Sequence, residues 1–384
     1  MKTRKFSLIR WVLFLGVIHF LGAPLSFAVS ASLATSQTLP PSSLEASWRM
    51  SLAGVNAQDS QSSSKFVGLG LEAQSKYHLL PSLYFAFDPF IRFENGSYQT
   101  IDGERKNESG IYLDEAAVHW NFLRGSDLAA GALYQRTTHS EILMGRQAFP
   151  GIRGDLQLFK LNGFQTVISA EQAIPTSSSL STNTTGVEST PRFLSASLAL
   201  NYEAGMYFWK TRVGAFSFDN LPSAVAHDSG LLGNTVLSIT ESETKFVYEY
   251  QGLEALSSLR FPVMRGWDLY AEGSYLQNSK TKSELGRAYA AAVGSEFFFI
   301  GRKSLDMKLT SFRIEPDAAV AYFNSVKFYN TNRVGYSFES FLNFKQYKFS
   351  IGARYTEAEV IFINPVQSRE KSLMLILETS YANI

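Results

Sequence analysis

The sequence predicts an all-β chain closed into a transmembrane antiparallel β-barrel. Three observations lead there. Apolar and polar residues alternate with period two over stretch after stretch of about 10–13 residues, long enough to cross a tilted bilayer path, whereas soluble strands average roughly 5–6. Short and long connections alternate along the chain. Charged residues make up 18% of the 384 residues, with 30 Phe and 18 Tyr, against the roughly 25% charge of a soluble domain. A large secreted β-sandwich or a solenoid would also alternate. No repeat of fixed sequence supports a solenoid, and a sandwich has no reason to sort its loops by length.

The first residues read as an export signal. Lys2, Arg4, Lys5 and Arg10 form a basic start, Trp11–Leu25 an apolar run, and Ser26-Phe27-Ala28 a small-residue cleavage site. Cleavage is expected after Ala28, with Ala31 as the second choice. The domain reading is therefore a signal peptide over 1–28, an N-terminal linker over 29–43 and the barrel over 44–384. Removing the four basic residues of the signal takes the formal charge from +1 to −3, which points to neither nucleic acid nor an anionic membrane surface. The chain has no Cys, so disulfides, thiolate metal sites and a lipidated N-terminal cysteine are excluded. Past the signal there is no apolar run of about 18 residues, so helices cannot make the crossing.

The first strands show the pattern plainly. Leu44, Ala46, Trp48, Met50 and Leu52 share one face, opposite Glu45, Ser47, Arg49 and Ser51. Val67, Leu69, Leu71, Ala73 and Tyr77 lie opposite Gly68, Gly70, Glu72, Gln74 and Lys76. Connections then run long at Gly54–Ser64, short at His78–Pro81, long at Asn95–Ser109 and short at Phe122–Ser126. The fifth strand, Asp127–Arg136, leads into a long segment, and the sixth, Asp155–Leu161, ends at Asn162-Gly163, a strong hairpin signal. The seventh opens into the Ser/Thr-rich Pro175–Pro191, the eighth turns at Ala204-Gly205, and the ninth opens into Asp219–Gly233. Past residue 234 the sorting blurs. Strands are read at Lys245–Leu259, Trp267–Gln277, Ala288–Ile300, Ser304–Ile314, Ala318–Phe328, Arg333–Phe344, Tyr347–Val360 and Ser372–Tyr381, with Val236–Ser242 as a weak tenth. The count is 18, with 16 as the alternative if two weak strands are loop, because a barrel with both ends on one side needs an even number.

The segment after the fifth strand, Thr137–Gly154, is long yet apolar at its centre, through Ile142, Leu143, Met144, Phe149 and Ile152. A surface loop would be more polar, so this one is expected to pack against something. Together with its Phe149-Pro150-Gly151 turn and the preceding Leu113–Trp120, it resembles the bacterial outer-membrane porins, over most of residues 44–384. The resemblance implies that Thr137–Gly154 folds into the lumen as a constriction loop, with Glu141, Arg146, Phe149, Pro150, Gly151 and Arg153 at the narrowing. It also implies a location in the bacterial outer membrane, with lipid and lipopolysaccharide as neighbours, small hydrophilic solutes or ions as cargo, and assembly as a homotrimer. One departure stands out: porin chains usually end in an aromatic residue, and this one ends Tyr381-Ala382-Asn383-Ile384.

Period-two parity places Arg49, Glu72, Glu115, His119, Lys210 and Arg212 opposite the apolar faces, hence on the pore wall. Signs are mixed along that wall, so the reading is a water-filled channel for passive, weakly selective diffusion. A plugged structural or adhesive barrel is the alternative, and a barrel hydrolase the third. His139-Ser140-Glu141 holds the residue types of a hydrolytic triad, but on an extended chain its neighbours point to opposite sides. His119 and Glu115, four residues apart on one strand, are expected roughly 13 Å apart, beyond a direct hydrogen bond. No catalytic residue, cofactor or metal site is expected. Tyr and Trp near strand ends (Trp48, Tyr77, Trp120, Tyr207, Trp267, Tyr289 and Tyr347 among them) are candidates for interfacial belts.

Overall fold

In the computed structural model the described residues are 43–58, 62–100, 103–105, 109–175, 187–237, 243–299 and 302–383. The expected signal peptide, the linker up to residue 42, part of the Ser/Thr-rich loop and the last residue lie outside them. Sixteen long antiparallel strands follow one another around a single closed sheet. They are β1 Ser43–Gln58, β2 Ser62–Leu80, β3 Leu83–Thr100, β4 Gly110–Leu123, β5 Ser126–Tyr134, β6 Ala148–Leu161, β7 Phe164–Ala173 and β8 Arg192–Ala204. The second half comprises β9 Tyr207–Asp219, β10 Tyr250–Met264, β11 Trp267–Asn278, β12 Arg287–Phe299, β13 Lys303–Ile314, β14 Arg333–Phe344, β15 Phe349–Val360 and β16 Glu370–Thr379. Closure comes from β1, which pairs with β2 on one side and with β16 on the other, from Ser51↔Glu378 to Gln58↔Lys371. Ala382 and Asn383 extend that seam against Trp48 and Ser47. A closed sheet leaves no strand edge unpaired, which a chain in lipid requires.

The expected 18 strands are thus corrected to the alternative, 16. Both weak strands turn out to be inserts. Of Val236–Ser242, the described residues Val236–Leu237 pair with Lys245–Phe246 outside the barrel sheet, and the rest lie outside the described residues. Ala318–Phe328 is no strand at all: its backbone is held by side chains. Asn234 Nδ2 donates to the carbonyls of Pro316 (2.5 Å) and Ala319 (2.8 Å), and Asn234 Oδ1 accepts from Ala321 N at 2.7 Å. Ser229 Oγ, on the helix α1 (Ser223–Leu231), accepts from Tyr322 N at 3.2 Å. The apolar run at the start of the segment reflects burial on every side instead of one sheet face, with Ala318–Ala321 and Phe323 fully buried. The Ser-rich Gly54–Ser64 and polar Asn95–Ser109, read as loops, are largely strand: β1 and β2 pair out to Gln58↔Ser63, and β2 and β3 out to Ser62↔Thr100.

Outward faces carry the apolar set. Leu44, Trp48, Met50 and Leu52 on β1, and Leu373, Leu375 and Leu377 on β16, are all exposed. So are Trp120, Tyr207, Tyr289 and Tyr347 nearer the strand ends. A wall of this kind suits lipid and would aggregate in water. The Asn162-Gly163 turn has φ of 49° and 84°, both left-handed as a two-residue hairpin of the primed type demands.

Inside, connections at the long-loop end turn into the barrel: residues 135–147, 220–237 with 243–249, and 315–332. With the inward faces of β6–β13 and β15 they form an enclosed apolar core. Ile142, Leu143, Met144, Phe149, Phe193, Val225, Tyr250, Phe312, Val320 and Phe323 are each at most 1% exposed there. One carboxylate sits at its edge. Burial raises the Asp317 pKa above the ordinary carboxyl range, although Thr235 N (2.9 Å), Thr235 Oγ1 (2.7 Å) and Tyr250 OH (3.3 Å) donate to it. With the folded-state pKa above the unfolded one, the folded state binds more protons, so the contribution of this group to stability is fully present below about pH 4 and is lost as pH rises through the raised value. Unfolding midpoints measured against pH should lose this slope in Asp317→Asn; an unchanged slope would assign it to another group.

Candidate functional site

The long connection after β5 crosses the lumen and is fastened at both ends. Just past β5, residues Gln135–Thr137 make one 3₁₀ turn. Glu254 on β10 then takes hold of the loop. Its Oε1 accepts from Ser140 N at 2.8 Å and from the Ser140 hydroxyl, and its Oε2 pairs with His139 Nδ1 at 3.0 Å. Arg212 Nη1 donates to the Thr137 carbonyl at 3.2 Å. Further on, the loop locks to the insert after β13: Gly145 N donates to Phe323 O at 2.6 Å and Ser325 N to Glu141 O at 3.0 Å. Its far end reaches the β2–β4 wall, where Arg146 Nε donates to Asp114 Oδ1 at 2.7 Å and Arg146 Nη1 to Glu72 Oε1 at 3.0 Å. The same guanidinium lies 4.0 Å from the Phe90 ring centroid. Burial alone would lower the Arg146 pKa, but its hydrogen bonds to Asp114 and Glu72 hold it above the ordinary value. It is a fixed charge in a two-carboxylate fork.

This corrects the expected loop bounds. Ala148 already begins β6, and Phe149, Pro150, Gly151 and Arg153 are strand residues paired with Leu133, Ala132, Gly131 and Ala129 of β5. The apolar centre misled the reading, because Phe149 faces inward and belongs to the same core as the loop. Glu141 and Arg146 remain on the loop proper. Arg153 is 4% exposed and lies 3.7–3.8 Å from carboxylate oxygens of Glu115, Asp155 and Glu171.

The wall residues expected from parity fall into two groups on either side of the loop. Arg49 donates to Glu72 Oε2 at 2.7 Å, and Tyr381 OH donates to the same oxygen at 2.9 Å, so those two join Arg146. His119 sits between Asp127, at 2.7 Å from Nδ1, and Glu115, at 3.5 Å from Nε2, with its ring stacked 4.7 Å from Tyr84. The expected 13 Å separation counted backbone rise and left out side-chain reach, and it is corrected to an ion-pair contact. On the other side, Lys210 and Arg212 line a cavity of about 290 Å³ between the loop and the β9–β13 wall.

Three partners were missed. Asp114 was hidden by a register shift at Asp88/Pro89. Glu254 was hidden by a misplaced strand: the expected Lys245–Leu259 is observed as Tyr250–Met264, starting and ending five residues later. Lys327 was placed on a strand that is not there; from its insert it reaches Glu339 at 2.8 Å. The His139-Ser140-Glu141 triplet is also corrected in shape. The chain there is not extended, and His139 and Ser140 both turn to Glu254. Ser140 gives its proton to that carboxylate and not to an imidazole, which is not the arrangement of a serine nucleophile.

Most described lumen charges are thus paired. Replacing Arg146 by Ala leaves Glu72 and Asp114 without their shared cation beside the loop. The variant is expected to move the zero-current potential in a salt gradient toward cations, raising cation preference roughly several-fold in a confined path; an unmoved potential would place that cluster away from the ion path.

A closed sixteen-stranded barrel with an apolar outer wall and a loop folded into its lumen has the fold of the bacterial outer-membrane porins. No protein-family model and no curated protein matches the chain. Solved structures do match. Pseudomonas putida OprB, in its high-pH structure, is similar with a TM-score of 0.56 and 9% identity, over 89% of this chain and 94% of that one. Salmonella typhi OmpF, in complex with daunomycin, is similar with a TM-score of 0.51 and 7% identity, over 88% and 97%. At such identities the likeness is one of fold.

Proposed function

We propose that this protein is an outer-membrane porin, a water-filled channel for passive and weakly selective diffusion of small hydrophilic solutes and ions. The observation that carries the reading is the loop after β5, latched by Glu254 on one side and by Asp114 and Glu72 on the other, so that it narrows the lumen without leaving it. Weak selectivity follows from pairing. Arg49 and Arg146 face Glu72, Asp114 and Glu378, and Lys327 and Arg354 face Glu339 and Glu141, so little net charge of either sign faces a passing ion there. The channel performs no catalysis. Export by residues 1–28, contact with lipid and lipopolysaccharide, and assembly as a homotrimer belong to the same proposal, as does the constriction role of Glu141 and Arg146.

Liposome swelling tests it. Vesicles carrying the refolded protein should swell in small sugars and amino acids at rates that fall with solute size and do not saturate with concentration. A second reading, the plugged structural barrel, draws on the enclosed apolar core within the lumen. It predicts no swelling by any solute from a protein shown to be inserted.

A further inference from the structure

The cavity beside the loop is asymmetric. Its floor is made of small inward side chains, Ser258, Ser274, Ala290, Ala292 and Thr310, which neighbour one another across β10–β13 in register (Ser274↔Ala290, Ala292↔Thr310). Small residues on four adjacent strands leave the hollow. Its edges are basic. Lys210 and Arg212 stand two residues apart on β9, facing Ser258 and Leu256 in register. Arg136, Lys308 and Lys327 complete a set of five cations, against Glu141 and Glu272 as the lining carboxylates.

Pairing separates these cations into two kinds. Arg136 is bound to Glu141, Lys308 to Glu272, and Lys327 to Glu339 at 2.8 Å. The Lys210 ammonium makes no hydrogen bond or ion pair with any described residue. Arg212 spends one N–H on the Thr137 carbonyl, and its buried Nε has no partner. A guanidinium N–H held out of water without an acceptor is costly, and an anion supplied from solution would relieve it. Two like charges side by side on one strand, both half-buried, raise the same demand.

Resting on the channel reading above, we propose that Lys210 and Arg212 form a stopping site for small organic carboxylates, so that the pore passes these anions by way of a transient bound state. Hydroxyls of Ser258, Ser274 and Thr310 around the hollow suit the remaining polar atoms of such a solute. At about 290 Å³ the cavity is at the small end of ligand sites, roughly 300–1,000 Å³, which limits the cargo to a few carbons. Binding must be weak for passage to continue.

Succinate is the probe and 1,4-butanediol its uncharged counterpart of equal carbon length. Added to a planar bilayer in constant chloride salt, succinate should reduce or interrupt the single-channel current in proportion to occupancy, and butanediol should not. Lys210→Gln/Arg212→Gln should raise the half-blocking succinate concentration at least ten-fold, while Lys160→Gln, exposed beside the Asn162-Gly163 turn, should leave it unchanged. Equal effects of diol and diacid, or equal block in the double variant, would overturn the site while leaving the channel intact. If no current flows at all, the channel reading fails, and calorimetric titration of the folded protein with succinate still decides the site: heat lost in the double variant supports it, no heat in the wild type removes it.

Discussion

Replacing residues 136–146 by Asn-Gly should raise single-channel conductance about two-fold, since conductance follows the open cross-section. The design is dictated by geometry. Gln135 N already donates to Gln147 O at 3.0 Å, and Tyr134 pairs with Ala148, so the two strands stand close enough for a two-residue primed turn. A deletion running on to Arg153 would remove strand β6 residues that hold both β5 and β7, and it would test wall integrity instead of pore width. The increase should be larger when the insert after β13 is also shortened, because that insert occupies the neighbouring part of the lumen and shares the Gly145–Phe323 and Ser325–Glu141 hydrogen bonds. Unchanged conductance in the folded variant would show that the loop does not border the ion path.

Phe323→Ala is expected to have the largest effect on stability. Its ring is fully buried, meets Phe149 edge-on at 5.2 Å and stacks on Phe218 at 5.8 Å. Truncating such a side chain costs about 3–5 kcal/mol through lost burial and the cavity left behind. Because Phe323 touches strand, loop and insert together, its loss should also loosen the inserts and add noise to the open-channel current. The check is a pair of measurements on one preparation: the urea midpoint in micelles and the variance of the open-channel current. A midpoint equal to wild type would mean that the inner apolar cluster is not close-packed.

Both effects come from parts of the chain that the sequence disclosed unequally. Where one face meets lipid and the other water, period two was legible, in places to the residue: Arg333–Phe344 has its observed bounds and Trp267–Gln277 lacks one residue, although Lys245–Leu259 is observed as Tyr250–Met264. Where a segment is enclosed on all sides, the alternation has no physical cause and the pattern fails. Ala318–Phe328 is the example, an apolar run that reads as a strand and is an insert clamped by Asn234 and Ser229. Phe149 failed for the converse reason, a strand residue whose inward side is apolar because an insert covers it.

The candidate site shows the same division. Parity brought Arg49, Glu72, Glu115, His119, Lys210 and Arg212 to the inner face, since that depends only on local alternation. Which charges meet depends on register, bulges and the path of the loop, none of which alternation encodes. The Asp88/Pro89 shift concealed Asp114, and a strand start at Tyr250 instead of Lys245 concealed Glu254. The difference between neutralised charges and the unpaired Lys210–Arg212 edge could be seen only once the loop was in place.

Planar-bilayer recording of the purified, refolded protein tests the central claim most directly. An open channel narrowed by an inward loop predicts discrete current steps whose size rises in proportion to salt concentration. Protein that is demonstrably folded and inserted, yet gives no steps at any salt concentration, would contradict it and leave a barrel sealed by its own inserts.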